Sequence, residues 1–299
     1  MTNTAAAIPS KQVKRRRQKK QGQWRDVIRR LFRNKLAIVA LIFIILLVIV
    51  AIFAPLLAPY DYREIDMTNA LAPLSWEHPF GTDQYGRDIL SRVIYGARTS
   101  LLVALGGLII GIFLGTVLGL LAGFYGKAVD TVIMRILDVL MAIPALLLAV
   151  VIQASFGTGL FSTMLAIAVA GLPATVRVVR ASVMQIKDQE FVEAATATGS
   201  SKFRIMFVHI LPNCLSSLLV ESTLKISGNI MAISGLSFIG LGVQEPLAEW
   251  GAMVSSGRAY IRVYSPLILF PGFCIVLTLV AFNILGDGLR DALDPKLKQ

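Results

Sequence analysis

Two groups of polar residues interrupt the long apolar stretches of this chain, and the first consists mainly of small side chains. It runs Glu193-Ala-Ala-Thr-Ala-Thr-Gly199-Ser-Ser and continues through Lys202, Phe203 and Arg204. Alanine and threonine make a helix thin enough to enter a groove, and Gly199 permits a sharp turn of the backbone. Glu193 can cap this helix or pair with a basic residue. These features suit a helix that contacts another protein, and they are equally compatible with an ordinary amphipathic loop that carries an exposed charge.

The second group lies within an apolar stretch. Glu221, Lys225 and Asn229 are spaced four residues apart, so they share one face of a helix. Ionisable groups inside a bilayer are costly and usually face a bundle interior or a water-filled path. Two hypotheses follow. The residues line a translocation path for a charged or zwitterionic substrate, or they form an internal ion pair that stabilises packing against another subunit.

The composition is that of an integral membrane protein. Of the 299 residues, 56% are hydrophobic and 16% are charged, and the mean hydropathy is +0.71, whereas a soluble domain carries about 25% charged residues. A membrane-spanning helix needs roughly 20 apolar residues to cross a hydrocarbon layer about 30 Å thick. The apolar stretches are continuous rather than alternating, which favours helices over a β-barrel. They predict an all-α protein with six transmembrane helices, at Leu36–Leu57, Ser100–Phe124, Val139–Phe156, Gly159–Val176, Ile210–Leu236 and Tyr264–Leu285.

The distribution of lysine and arginine predicts the orientation. Twenty-two of the 29 basic residues fall on the side of the termini and the Glu193 segment, and six fall in the two loops on the opposite side. Because positively charged loops stay in the cytoplasm, both termini and the segment at about 183–209 are predicted to be cytoplasmic. The loops at about 58–99 and 240–263 are then external. The chain is expected to be a multi-pass protein of the plasma membrane.

Residues 1–35 form a basic N-terminal region on the cytoplasmic side. Apolar residues from Trp24 to Phe32 recur at helical spacing against arginines, which predicts an amphipathic helix lying in the membrane interface. The basic run from Lys11 to Lys20 is explained by attraction to the anionic lipids of the inner leaflet. No nucleic-acid partner is expected.

Four motifs in the chain resemble those of one transporter family. The Glu193 segment, followed by Ile210-Leu211-Pro212, is similar to the EAA loop of ABC-transporter permeases. Three further motifs resemble the dipeptide, oligopeptide and nickel branch of these permeases: residues 80–92 (FGTDQYGRDILSR), 236–244 (LSFIGLGVQ) with 249–253 (EWGAM), and 281–295 (AFNILGDGLRDALDP). The resemblance spans residues 25–299 and is to the second, shorter permease of a pair. It implies that residues 36–299 form a six-helix domain like the transmembrane domain of a type I ABC importer in a bacterial inner membrane.

The resemblance also implies partners and roles. Members of this family work with a homologous second permease, two cytoplasmic ATPases and an external substrate-binding protein, and each permease forms half of the import pathway. The implied ATPase contacts are Glu193, Ala194, Ala195, Gly199, Lys202, Phe203 and Arg204. The residues expected to face the binding protein are Asp83, Arg87, Glu249 and Trp250. The implied cargo is a di- or oligopeptide, with nickel, metal chelates or glutathione as alternatives.

The sequence predicts that the chain itself is not an enzyme. A phosphate-binding loop needs G-x-x-x-x-G-K-[ST], but Gly126-Lys127 is followed by Ala128, and Leu121 stands where the first glycine belongs. ATP and Mg²⁺ are therefore expected on the partner ATPases, with no cofactor or metal on this chain. The alternative of a different class is a stand-alone secondary carrier or channel. Such proteins normally show paired halves, and this sequence shows no internal repeat.

Overall fold

The computed structural model describes residues 23–293, so the basic run Lys11–Lys20 and the C-terminal Lys296 and Lys298 lie outside the described residues. Within this range the fold is helical, with one isolated β-bridge between Thr82 and Asp88. The α-helices are α1 (Gln23–Leu31), α2 (Lys35–Ile52), α3 (Ala54–Leu57), α4 (Ile89–Tyr125), α5 (Lys127–Ala142), α6 (Ala145–Phe156), α7 (Leu160–Ile186), α8 (Glu190–Ala197), α9 (Lys202–Arg204), α10 (Leu211–Phe238), α11 (Trp250–Gly257) and α12 (Pro266–Leu293). Short 3₁₀ turns lie at Met67–Asn69 and Arg258–Tyr260, and a wider π turn lies at Ile205–Ile210.

Five helical segments of the described range are long and apolar enough to cross a membrane. They are α2, α4, α7, α12 and the run Lys202–Phe238, which contains α9 and α10. Helices α5 and α6 together make a sixth apolar unit, which is bent by 93°. The prediction of an all-α membrane protein with six apolar crossings is confirmed when this bent pair is counted as one.

The third predicted span differs from the structure. The sequence predicted one helix over Val139–Phe156, whereas α5 ends at Ala142 and α6 begins at Ala145. Pro144 has no N–H group, and its ring keeps the preceding residue out of the helical conformation. Ile143 is accordingly extended, with φ −93° and ψ 125°. The proline therefore turns this crossing into two helices that meet at a steep angle.

Helix α4 is longer than the sequence predicted. The sequence predicted a span that begins at Ser100, but the structure has one helix of 37 residues that begins at Ile89. The Asp88 carboxylate caps it by accepting a hydrogen bond from the Ser91 N–H at 2.7 Å, and no proline interrupts it afterwards. The helix is about 55 Å long. It therefore extends well beyond an apolar layer of about 30 Å.

Helices α4 and α7 lie parallel, with a row of glycines on α4 packed against larger side chains of α7. A Cβ atom added at Gly119 would lie 2.6 Å from Cβ of Val179, and one at Gly123 would lie 2.7 Å from Cβ of Val183. Backbones approach this closely only where a side chain is missing. This close packing fixes the position of α7, which carries the EAA motif beyond its C-terminus.

The bundle has two distinct ends. The loop end carries residues 58–88 and 240–263, where α4 begins and α10 finishes. The EAA end carries residues 187–204, where α7 finishes and the run Lys202–Phe238 begins. The main hydrophobic core lies between α2, α4, α10, α11 and α12. The predicted interfacial helix corresponds to α1, which packs against α12.

Helix α10 begins at Leu211, one residue after the start of the predicted span, and Pro212 lies in its first turn. The helical chain nevertheless enters α10 from Lys202 through the π turn, in which the Leu211 N–H bonds to the Met206 carbonyl. A proline ring clashes with the carbonyl four residues before it in a regular helix, and a wider turn relieves that clash. Residues 202–238 therefore form one helical run from the end of the EAA segment into the fifth span.

Candidate functional site

Helix α8 lies across the EAA end with one face anchored and the other exposed. Val192 and Ala195 are buried and belong to a small hydrophobic cluster that also contains Val183, Ile205 and Ile210. The opposite face carries exposed residues, among them Glu190, Glu193, Ala194 and Ala197. Of the EAA residues singled out by the sequence, Ala195 therefore holds the helix in place while Glu193 and Ala194 face outward.

Glu193 makes neither of the intramolecular contacts that the sequence allowed. It lies in the first turn of α8, whose N-cap residue is Gln189, and no side chain caps the helix. Within residues 23–293, no basic side chain lies within ion-pair distance of it. A carboxylate in the first turn is favoured by the helix dipole. Glu193 thus presents its charge outward from a rigid support.

Gly199 ends α8 in a left-handed turn. Its φ is +78°, a conformation that glycine adopts without steric cost. The Gly199 N–H bonds to the Thr196 carbonyl at 3.0 Å, and the Ser200 N–H bonds to the Ala195 carbonyl at 3.1 Å. These two bonds form a Schellman motif, which satisfies the last carbonyls of a helix. The predicted sharp turn at Gly199 is confirmed.

An exposed apolar and basic patch follows the turn and consists of Lys202, Phe203 and Arg204. Ser201 begins the next helix by accepting a hydrogen bond from the Arg204 N–H at 3.3 Å. Phe203 is 68% exposed and packs on the Phe207 ring at 4.4 Å between centroids. Lys202 lies over the ring of Tyr125, at the end of α4. We call the exposed residues of 190–204 the EAA surface.

A cavity of about 980 Å³ lies between α7, α10 and α12. At the EAA end its lining includes Gln189, Asn213 and Arg290. Deeper in the bundle it reaches Glu221 and Lys225 on α10. The cavity is therefore lined by polar side chains where membrane-spanning helices would otherwise be apolar.

Glu221 and Lys225 are joined through a third residue rather than directly. The Lys225 ammonium donates hydrogen bonds to the Gly171 carbonyl at 2.7 Å and to Thr175 Oγ1 at 2.5 Å. The Thr175 hydroxyl in turn donates to Glu221 Oε1 at 3.0 Å. Thr175 is on α7 and was missed by the sequence analysis, because nothing in the sequence pairs it with a residue of α10.

Asn229 packs against α4 and does not join Glu221 and Lys225 in the cavity. It shares their helical face by sequence spacing, but its side chain is buried and donates to the Ala104 carbonyl of α4 at 3.0 Å. It does not belong to the lining of the cavity. The predicted group of three therefore divides into two residues of the cavity and one that holds α10 against α4.

At the loop end, Asp83 and Arg87 are buried, which differs from the expectation that they face another protein. Both are 3% exposed. Arg87 Nε lies 2.6 Å from Asp83 Oδ2, and Arg87 Nη2 lies 3.0 Å from Glu245 Oε1. Burial alone lowers the pKa of Arg87, but the hydrogen bonds and charges of Glu245 and Asp83 outweigh it, and the pKa is raised above its usual value. Arg87 thus joins the two loops through its ion pairs with Asp83 and Glu245. Glu245 is half-exposed and was not among the residues that the sequence predicted.

Glu249 and Trp250 are also buried, each at 1% exposure. Glu249 caps α11 by accepting hydrogen bonds from the N–H groups of Gly251 and Ala252, both at 2.8 Å. It also accepts from the hydroxyls of Ser100 and Ser237, on α4 and α10. The Trp250 indole N–H donates to the Val93 carbonyl at 3.0 Å. These side chains hold the second loop onto the bundle and offer no surface to an external protein.

The bundle, with its short exposed helix at one end, has the architecture of an ABC importer transmembrane domain. The inward-facing MetNI methionine ABC transporter matches it with a TM-score of 0.56 at 18% identity, over 69% of this chain and 98% of that chain. An amino acid ABC transporter with histidines matches with a TM-score of 0.51 at 19% identity, over 68% and 95%. At these identities the likeness shows the fold.

The sequence comparisons show the family. Residues 115–299 match the binding-protein-dependent transport system inner membrane component, and residues 22–73 match the N-terminal TM domain of oligopeptide transport permease C. The chain is 46% identical to the dipeptide transport system permease protein DppC of Alkalihalophilus pseudofirmus, over 92% of this chain and 90% of the relative. It is 41% identical to the oligopeptide permease OppC of Bacillus subtilis, over 92% and 90%. It is 45% identical to the glutathione permease GsiD of Escherichia coli, over 92% and 91%.

The chain therefore belongs to the family of binding-protein-dependent inner-membrane components. It is a multi-pass permease subunit of an ABC importer, as the four sequence motifs predicted.

Proposed function

We propose that this subunit forms half of the translocation path for di- and oligopeptides and couples that path to cytoplasmic ATPases through the EAA surface. A homologous permease supplies the other half, an external binding protein delivers the peptide, and ATP and Mg²⁺ bind to the ATPase subunits. Both termini and the EAA end lie in the cytoplasm. The excess of lysine and arginine on that side supports this orientation.

The geometry of α8 is the observation that carries the coupling role. The helix is anchored by Val192 and Ala195 and closed by the Schellman turn at Gly199, and its outward face has no partner among the described residues. The turn at Gly199 and Ser201 then leads directly into the run Lys202–Phe238, which carries Glu221 and Lys225. A push on α8 is therefore transmitted to the helix that lines the cavity.

The cargo is inferred from the relatives and from the cavity together. The relatives carry the names of dipeptide, oligopeptide and glutathione permeases. A peptide has an ammonium group at one end and a carboxylate at the other, and the cavity lining includes carboxylate, ammonium and guanidinium side chains. Glutathione is the second candidate, because a relative named for it is as similar to this chain as those named for peptides.

The test is uptake by proteoliposomes that contain the complete complex with its binding protein. Labelled dialanine, a longer peptide and glutathione are supplied outside, with ATP inside. We expect ATP-dependent accumulation of the peptides. Accumulation of glutathione alone would contradict the peptide assignment. Uptake by this subunit alone, driven by an ion gradient, would instead support a secondary carrier.

A further inference from the structure

The cavity contains one carboxylate oxygen whose hydrogen bonding is incomplete. Glu221 Oε1 accepts from the Thr175 hydroxyl, but no donor among the described residues reaches Oε2, which is screened from solvent. Leaving a buried polar atom unpaired is unfavourable, and more so when the group is charged. Such an oxygen is expected to meet a donor during the working cycle of the protein.

The nearby lysine does not fill this role, because it is held elsewhere. Its ammonium group is bound to the Gly171 carbonyl and to Thr175 on α7. Gly171 makes room for it: a Cβ atom at that position would lie 2.7 Å from Cε of Lys225. Lys225 thus orients the Thr175 hydroxyl toward Glu221 and leaves Oε2 without a direct ion-pair partner.

The position of Glu221 suits a ligand in transit. Glu221 lies ten residues after Leu211, where α10 begins, and therefore about 15 Å along the helix. In an apolar layer about 30 Å thick that begins near Leu211, this position is close to the middle. The residue lines the cavity that leads to the EAA end. The last torsion of a glutamate side chain is broad, so a modest rotation presents Oε2 to the cavity while the side chain stays on the Thr175 side.

We propose that Glu221 is a binding residue for the N-terminal ammonium group of the transported peptide, with Thr175 as its positioning residue. An ionised carboxylate is only an acceptor, so the matching group is a cationic donor, and charge-assisted hydrogen bonds are the stronger kind. Every unmodified peptide carries an ammonium group whatever its side chains. Recognition at this atom is therefore independent of peptide sequence. This inference rests on the proposed function, since it concerns the same path.

The experiment measures ligand protection of a cysteine placed beside Glu221. Ser217 lies one helical turn away, about 6 Å, and is an exposed residue of the cavity lining. The complete complex carrying Ser217→Cys is labelled with an uncharged maleimide without the binding protein. The same complex without this cysteine corrects for labelling of Cys214 and Cys274. The probes are dialanine, N-acetyl-dialanine and methylammonium.

We expect dialanine to slow the labelling of position 217 and N-acetyl-dialanine to have no such effect. Adding Glu221→Gln removes a charge-assisted hydrogen bond, so the half-protecting concentration of dialanine should rise about tenfold. Thr175→Val should raise it about fivefold, and Thr175→Ser, which keeps the hydroxyl, should restore protection. Asp287→Asn is the matched control, because Asp287 is an exposed carboxylate outside the cavity lining.

Equal protection by the two peptides, or unchanged protection in the Glu221→Gln variant, would overturn this proposal. Its failure is distinguishable from failure of the proposed function. If the wild-type complex accumulates no peptide but methylammonium protects position 217 through Glu221, the peptide assignment is wrong and the ammonium site remains. If peptides accumulate and Glu221→Gln changes nothing, the site is wrong and the peptide assignment remains.

Discussion

The loop end and the EAA end both carry charged residues within family motifs, but the two ends use those residues differently. At the loop end, Asp83, Arg87 and Glu249 are at most 3% exposed and bond to other elements of the chain. At the EAA end, Glu193 is exposed, and Phe203 is 68% exposed. Charges at one end are thus part of the internal framework, whereas those at the other are available to a partner.

This difference separates stability from coupling. Substitutions at the loop end should lower the free energy of unfolding, because they leave buried groups unpaired or open cavities. Substitutions on the EAA surface should leave stability nearly unchanged and act on transport. Equal losses of stability from substitutions at the two ends would contradict this separation.

The largest loss of stability is expected for Trp250→Ala. The side chain is 1% exposed and its indole N–H is bonded to Val93, and loss of a buried tryptophan costs about 3–5 kcal/mol. Thermal unfolding of the purified complex measures it. Trp76 is the matched control, because it is fully exposed at the same end (relative exposure 101%), and Trp76→Ala should leave Tm unchanged. Equal shifts for the two variants would contradict the assignment of Trp250 to the framework.

A somewhat smaller loss is expected for Arg87→Met. The substitution leaves Asp83 buried without its nearest partner, which costs about 3 kcal/mol for a buried pair. It also removes the contact with Glu245 that joins the two loops of the loop end. Thermal unfolding is again the measurement, with the exposed Arg63→Met as control. Restoration of part of the lost stability by Asp83→Asn in the same chain would show that the unpaired carboxylate is the cause.

Gly199→Val should have a modest effect on stability and a large one on coupling. A β-branched residue at φ +78° lowers the stability by about 1–2 kcal/mol. We expect the backbone to move away from this φ value, which changes the position of α8. We expect ATP hydrolysis to continue while peptide uptake falls. Gly235→Ala is the matched control, since that helical glycine has open space around it. Normal uptake per ATP hydrolysed in the Gly199→Val variant would exclude the turn from coupling.

The smallest effect on stability is expected for Glu193→Ala. The side chain is exposed and has no ion-pair partner within residues 23–293, so the free energy of unfolding should change by less than about 0.5 kcal/mol. Peptide uptake per ATP should nevertheless fall. Glu190→Ala removes the other carboxylate in the first turn of α8 and tests whether the effect is specific to position 193. If both variants lose coupling equally, the summed charge at the positive end of the helix dipole, rather than a contact of Glu193 itself, accounts for the effect.

The sequence predicted local features better than contacts between distant residues. The turn at Gly199 and the position of Pro212 in the first turn of α10 follow from the conformations that glycine and proline favour. The break at Pro144 had a local signal as well, but the apolar run around it concealed it. No local feature of the sequence indicated that Arg87 is buried, because its partner Glu245 is 158 residues away. The link from Lys225 to Glu221 through Thr175 likewise depends on how α7 packs against α10.

The central claim is that the EAA surface is the contact with a cytoplasmic ATPase, and site-specific photocrosslinking tests it most directly. A photoreactive phenylalanine analogue replaces Phe203 in the complete, transporting complex, and Trp76 is replaced in a parallel sample as the control at the loop end. We predict that position 203 crosslinks to an ATPase subunit and that position 76 does not. A crosslink from position 203 to the external binding protein, or none to the ATPase while uptake continues, would contradict the account.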